Sequence, residues 1–499
     1  MTYDVAVVGA GVGGLTTAAL LAARGLRVCV VEREPQAGGC ATMSCESFGY
    51  SFEPGAGLYA AWQAGGLHER VFAELPVDAP EVRAVSPAYV VRLPDGADVR
   101  VGGSAGEFAE TLREAFPECA DEAVRFYREL TAVADALRRA ARREPALATL
   151  SKLGRMRLAA SEPRIASRVF SAEKVTAAAS LKRVSTRFRR FIDAQLQLSA
   201  QCASDRCAYL YAALALTEPL RGMHALVGGA SALVGRLVES IEKSGGTVRF
   251  GATALRLEYD AQGRAVGVRL LSGERIEATR AVISNLTVWD TYGKLVGLER
   301  TPAEMRARLK QLAGWGAYLL YAGADEDAVE RLPAANLLVL SDWQEGAAFD
   351  AEAALLMFSA ADAADARAPS GKRAVTVSTF TEAERWFVFH EDETEHEGQD
   401  EETLAAVWAR LHAALPELGA GIEVIETATP RTFYERTRRK LGMVGGVGQS
   451  LAVFGRNAVT HRTSVPNLYM VGDTVFPGQG VAGVTLSAVI VANEIAPPV

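Results

Sequence analysis

The chain has 499 residues, 49% of them apolar and 23% charged, which is the globular average and argues against a disordered, fibrous or repeat-array protein. Its net charge of −7 makes the whole molecule a poor partner for nucleic acid, so any basic site has to be local. Six cysteines are too few for a disulfide scaffold and fit a reducing, cytoplasmic compartment.

The opening Met1-Thr2-Tyr3-Asp4 carries no basic segment of a secretory leader. Residues 4–34 read as a buried strand, a glycine-rich turn, a helix of small apolar residues and a second strand ending in an acid. Gly9 permits the tight turn, Gly11 lets the backbone approach a pyrophosphate, and Gly14 lets helix and sheet pack closely. The helix N-terminus then offers free N–H groups and a positive dipole end to phosphate. Glu32 leaves the second strand 18 residues past Gly14, placed to accept ribose hydroxyls, with Arg33 beside it. The pair Gly38-Gly39 extends this fingerprint toward the flavin end of a dinucleotide and brings Cys40 and Ala41 into the same turn.

Between Arg138 and Arg190, 15 Lys or Arg stand against three acids. Leu147, Leu150, Leu153 and Met156 recur at helical spacing beside Lys152, Arg155 and Arg157. Leu181, Val184, Phe188 and Phe191 do the same beside Lys182, Arg183, Arg187, Arg189 and Arg190. Cationic amphipathic helices of this kind suit an anionic bilayer surface, and core-packed helices with a solvated basic face are the alternative.

Residues Ala232–Ser244 predict a helix, and the runs Thr247–Phe250, Ala254–Tyr259, Ala265–Leu271 and Arg275–Ser284 predict strands separated by tight turns. Ala254 is a candidate backbone neighbour of an adenine. The run Phe389–Glu402 sets His390 and His396 among eight carboxylates, without Cys ligands or a helical H-x-x-x-H, so it reads as a solvated acidic loop leading into a helix, with no metal assigned. Near the far end, Asn467–Asp473 reads as a buried strand leaving through Gly-Asp, where Asp473 can accept from a ribityl hydroxyl. Gly480, Val481 and Ala482 open the next helix, whose N–H groups point at a flavin pyrimidine edge. Together these elements make FAD the expected cofactor, and with a flavin to do redox chemistry no Ser/His/Asp set is needed and no catalytic residue is named.

Because the cofactor signatures lie at opposite ends, the expected fold class is α/β, with a Rossmann-type, glutathione reductase-like FAD-binding domain assembled from discontinuous segments. Residues 1–75, 217–290 and 421–499 form it by this reading. Residues 76–216 and 291–420 form an inserted α+β substrate domain.

With these residues placed, the sequence resembles the carotenoid desaturase and isomerase family, within the wider phytoene desaturase group of FAD enzymes. The resemblance runs through GGCAT at Gly38–Thr42, the stretch from Ala225 through Gly246 to Val282-Ile283-Ser284-Asn285, TPRTFYERT at Thr429–Thr437, and Arg462–Ile495 with its PGQG. Position 40 holds Cys where many relatives hold Arg. The resemblance implies a long apolar polyene substrate, drawn from a membrane into a tunnel ending at the flavin, with segment 138–190 as the peripheral docking face. It implies desaturation first, in which flavin N5 takes a hydride from an allylic carbon, a neighbouring proton is lost, and the electrons pass to a quinone or dioxygen. Redox-neutral cis–trans isomerisation by reduced flavin is the alternative. A flavin amine oxidase is the rival class, with Arg431 and Arg462 available to bind a carboxylate.

Overall fold

Val5–Val8 and Val28–Val31 are uninterrupted apolar runs with no polar face, the pattern of parallel strands covered on both sides. In the computed structural model, which describes residues 2–42, 45–145, 147, 150–341, 345–388 and 393–498, they pair in parallel inside a seven-stranded sheet. Arg275–Ser284 runs parallel to Thr2–Val8, Leu468–Met470 lies parallel beyond it, and Thr247–Arg249 closes the opposite edge. The hairpin Ala254–Tyr259 and Ala265–Leu270 extends the sheet antiparallel. Val5, Val7, Val28 and Val30 face helices Val12–Ala23, Gly229–Lys243 and Gly480–Ile495. Ala6, Val8, Cys29 and Val31 pack in a separate core on the other side.

The register sets the site. Val8 lies level with Val31 and Ser284, and Ser284 with Met470, so four parallel strands end in one row. The residues that leave this row are Gly9, Glu32, Asn285 and, after one more apolar residue, Gly472-Asp473. Ligands of open α/β sheets bind at this carboxyl edge.

A second seven-stranded sheet takes its strands in the order 422–428, 316–325, 372–381, 355–360, 336–340, 89–92 and 98–101. Strand Ile422–Ala428 pairs with Gly316–Asp325, so this stretch belongs to the inserted region, and the expected boundary at 421 moves past 428. The long edge of an antiparallel partner captures it before the chain returns to the first sheet. Helices Ala120–Arg143, Thr186–Ala200 and Tyr209–Thr217 share one core with Tyr89, Val91 and Leu338 of this sheet.

The two halves of the basic segment part company. Leu181, Phe188 and Phe191 are fully buried, the latter two against Phe116, and the helix holding Phe188 and Phe191 starts only at Thr186, leaving Leu181 in the segment before it. Arg187 pairs with Asp95 at 2.8 Å, and Arg190 is buried against Asp193 at 3.3 Å. The apolar stripe of this half is core and Arg190 is buried with it, while Lys182 and Arg183 remain exposed. Helix Lys152–Ser161 buries no residue at all, and Leu153 and Met156 are 56% and 60% exposed.

The acidic run also departs from expectation: residues from Glu393 onward are helical, within Glu393–Ala414, rather than a loop. Glutamates in a first turn interact favourably with the positive helix end. His396 packs edge-on to Trp386 and reaches Thr429, while His390 lies outside the described residues. All six cysteines are free. Among the described residues no helix is long and apolar enough to cross a membrane.

Candidate cofactor and substrate site

Gly9 leaves its strand at φ +96°, and Gly11 caps the helix Val12–Ala23. A Cβ at Gly14 would stand 2.3 Å from the Gly9 carbonyl oxygen, so the turn closes only around glycine. Glu32 braces this turn: one carboxylate oxygen accepts from the Ala10 N–H at 2.7 Å and the other from the Glu34 N–H at 2.9 Å. Gly38, at φ +117°, folds back and donates its N–H to the Ala10 carbonyl at 2.8 Å, opposite Gly11. The turn Gly39–Thr42 follows, with Cys40 and Ala41 half-buried in it and burial pushing the Cys40 thiol up. Arg33 is paired with Glu34 and donates to the Arg436 carbonyl at 3.1 Å.

The far end of the chain meets the near end here. A Cβ on Gly13 would lie 3.3 Å from the Gly472 backbone, which places Asp473 beside the glycine turn. One Asp473 carboxylate oxygen accepts from Arg439 Nη2 at 2.8 Å. Ala254 starts its strand two residues past Ala252, whose N–H donates to the Glu32 carbonyl at 2.7 Å, so it lies close to the strand end that carries Glu32. Gly480, Val481 and Ala482 sit on a different surface, the wall of a cavity.

Three residues had no role assigned to them from sequence. Asn285 stands in the centre of the glycine turn, its amide 2.6 Å from a Cβ built on Gly11 and 2.9 Å from one built on Gly13. Arg439 braces Asp473, and Gly446, at φ +79°, lets the chain pass against the Asp473 carbonyl. The available signals were a short polar residue ending the apolar run Val282–Ser284 and a glycine pair at 445–446.

Glycine turn, two acidic strand ends and a half-buried amide form an extended cradle whose backbone is open where side chains would fill it. An extended dinucleotide fits it, with its diphosphate at the helix N-terminus. Beyond Asp473, at Gly445, Gln479 and the start of helix Gly480–Ile495, the cradle gives onto a cavity of about 690 Å³. That size is typical of a small-molecule site. Its walls are mainly apolar, with Tyr59, Leu67, Leu198, Tyr211 and Leu214 among them, and it reaches Arg138, Arg142 and Arg155 at the basic helices. The Tyr59 and Tyr211 phenols are pushed well up by burial, and they are bonded to Glu53 and the Ser199 carbonyl. Arg431 and Arg462 pair with Glu393 and Glu494 and do not line the cavity.

The sequence pattern of the flavin containing amine oxidoreductases matches residues 12–496. Prolycopene isomerase, chloroplastic, of Arabidopsis thaliana is 25% identical over 507 residues, covering 99% of this chain and 82% of that protein. All-trans-retinol 13,14-reductase of Homo sapiens is 24% identical, covering 99% of this chain and 85% of its own. Among solved structures, putrescine oxidase bound to putrescine superposes with a TM-score of 0.64 at 17% identity over 100% of both chains. An oxidoreductase from Methanosarcina mazei gives 0.63 at 18% identity over 98% of this chain and 99% of that one. These two likenesses are of fold.

Proposed function

The chain belongs to the flavin containing amine oxidoreductase family and is an FAD-dependent enzyme, and from that premise we propose that it acts on a long conjugated polyene, changing the configuration of a carbon–carbon double bond. The observation that carries the proposal is the mainly apolar cavity that opens where the dinucleotide cradle ends. An apolar wall of this extent desolvates a hydrocarbon chain at roughly 25 cal/mol per Å² and offers a polar substrate no comparable gain. Among the described residues the carboxylate lining the cavity is Glu218, and Arg138 holds it at 2.6 Å, so the cationic group of an amine substrate finds no free anion there, which argues against the amine oxidase reading. Isomerisation is preferred to desaturation because the relatives that match this chain from end to end include enzymes named for isomerising a polyene and for reducing one.

In this reading Gly9, Gly11 and Gly14 admit the diphosphate, Glu32 accepts ribose hydroxyls and Ala254 borders the adenine. Gly38, Gly39, Cys40 and Ala41 border the linker, Asp473 accepts a ribityl hydroxyl, and Gly480, Val481 and Ala482 place a helix N-terminus at the ring. Bound FAD supplies reversible two-electron chemistry to the conjugated chain. The protein's own groups hold the polyene extended and exclude water. The buried phenols of Tyr59 and Tyr211 stay protonated and bonded to their acceptors.

The test is product mass. Holoenzyme with reduced flavin and a cis-polyene is expected to give a product of unchanged mass and shifted retention. Loss of two hydrogens replaces isomerisation with desaturation onto a quinone or dioxygen, a gain replaces it with saturation, and no turnover of any polyene overturns the proposal.

The same reading assigns membrane docking to helix Lys152–Ser161. Leu153 and Met156 project outward beside Lys152 and Arg157, while Arg155 and Leu158 of the same helix line the cavity. A polyene can pass from lipid to cavity under this helix without crossing water, and each basic residue near anionic headgroups contributes about 1 kcal/mol. The Leu153→Glu/Met156→Glu protein should keep its flavin and lose co-sedimentation with vesicles containing phosphatidylglycerol at low salt. Unchanged pelleting would reject the assignment.

A further inference from the structure

A dinucleotide diphosphate brings two negative charges to a strand edge that already carries the carboxylates of Glu32 and Asp473. The N-terminus of helix Val12–Ala23 offsets about half a charge. Arg33, the basic residue next to Glu32, is turned toward Glu34 and the Arg436 carbonyl. Arg439 reaches this edge through Asp473, and it comes from the segment following helix Pro430–Thr437, which packs against the turn Gly39–Thr42.

The Arg439 fork is held on two of its three arms. Nε donates to the Met443 carbonyl at 2.8 Å and Nη2 to the Asp473 carboxylate at 2.8 Å. Among the described residues Nη1 has no partner, and the side chain is 17% exposed. Its electrostatic neighbours include Cys40, in the turn whose first glycine neighbour, Gly38, bonds Ala10. Asp473 in turn follows Gly472, which closes on Gly13. The bond to Asp473 and the nearness of Cys40 therefore set the guanidinium beside the cradle, between the glycine turn and the strand end that carries Asp473.

We infer that Arg439 is the cation that receives the cofactor's diphosphate, with Nη1 donating to a phosphate oxygen while Asp473 holds the fork in place. The inference rests on the placement of the dinucleotide proposed above. The charge complementing the phosphates thus arrives from the C-terminal third of the chain, more than 400 residues from the glycine turn. A guanidinium suits the task because its planar donors stay charged and oriented.

The experiment measures FAD dissociation from the purified full-length holoprotein by the return of flavin fluorescence on dilution, at several chloride concentrations. Arg439→Ala should raise Kd by about 10- to 100-fold, the range of one charge-assisted hydrogen bond, and should flatten the rise of Kd with salt. Arg439→Lys keeps the charge without the fork; it should recover part of the affinity and the salt dependence, and serves as the folded control. The loss on Arg439→Ala should persist in an Asp473→Asn background. If Kd is unchanged, or if the loss disappears in that background because Arg439 acts only through the aspartate, the inference fails. Glu32→Ala separates the two levels: affinity lost there but kept in Arg439→Ala rejects Arg439 alone, and affinity kept in both rejects the placement of the dinucleotide.

Discussion

Replacing Gly446 by alanine is expected to give protein that purifies without its yellow colour. A Cβ at this position would stand 2.1 Å from the Asp473 carbonyl oxygen and 2.7 Å from its carbonyl carbon, both backbone atoms with no side-chain rotation to relieve the clash. The residue also holds φ +79°, where alanine is disfavoured by about 1 kcal/mol. The turn carrying Asp473 has to move, and with it the carboxylate, the Arg439 fork and the approach of Gly472 to Gly13. Flavin occupancy, read as the ratio of absorbance at about 450 nm to that of protein after gel filtration, should drop at least tenfold. The control is Gly235→Ala in helix Gly229–Lys243, where nothing but the helix's own backbone lies within 4 Å of the new Cβ; it should keep its flavin and gain up to about 1 kcal/mol of stability. Wild-type occupancy in Gly446→Ala would show that the Asp473 turn has no part in holding the cofactor.

The second large effect separates substrate from cofactor. Ala215 lies on helix Tyr209–Thr217, half-buried and facing the cavity beside Leu214. Ala215→Trp projects an indole into the space assigned to the polyene and touches none of the residues of the glycine and aspartate cradle. Polyene turnover should fall by about 100-fold or more in kcat/KM, the scale of effect that a misplaced substrate produces, while flavin content stays at the wild-type level. Ala215→Ser, nearly isosteric, should stay close to wild type. Full activity in the tryptophan variant would move the polyene to another surface.

What could be read in advance was what local pattern determines. The glycine turn at 9–14, the acid at the end of the second strand and the Gly-Asp leaving Leu468–Met470 are each set by a few neighbouring residues, and each lies at the expected strand end. Asn285 was hidden because its place depends on register: only the level pairing of Val8 with Ser284 and of Ser284 with Met470 brings its amide into the turn. Arg439 was hidden for a similar reason, since no spacing links it to Cys40 or Asp473. The stripe Leu181, Phe188, Phe191 beside arginines fits a membrane face or a core equally well, and the partners that decide it, Asp95 and Phe116, are distant in sequence. Strand Ile422–Ala428 was assigned by its neighbours in sequence, whereas hydrogen bonding to Gly316–Asp325 decides its sheet.

The row of four strand ends also fixes when in the life of the chain the nucleotide seat comes into being. Its pieces come from positions 9, 32, 285 and 473, so no stretch of the emerging polypeptide contains it, and local helices and hairpins form long before it does. A ribosome at about 5–20 residues per second delivers Asp473 tens of seconds after Gly9. Until then the apolar flanks of Val5–Val8 and Val28–Val31 wait without the strand Leu468–Met470 and the helix Gly480–Ile495 that complete their layer. Capture of the prosthetic group is accordingly among the closing acts of biogenesis, and chaperone demand falls on the interval that precedes it.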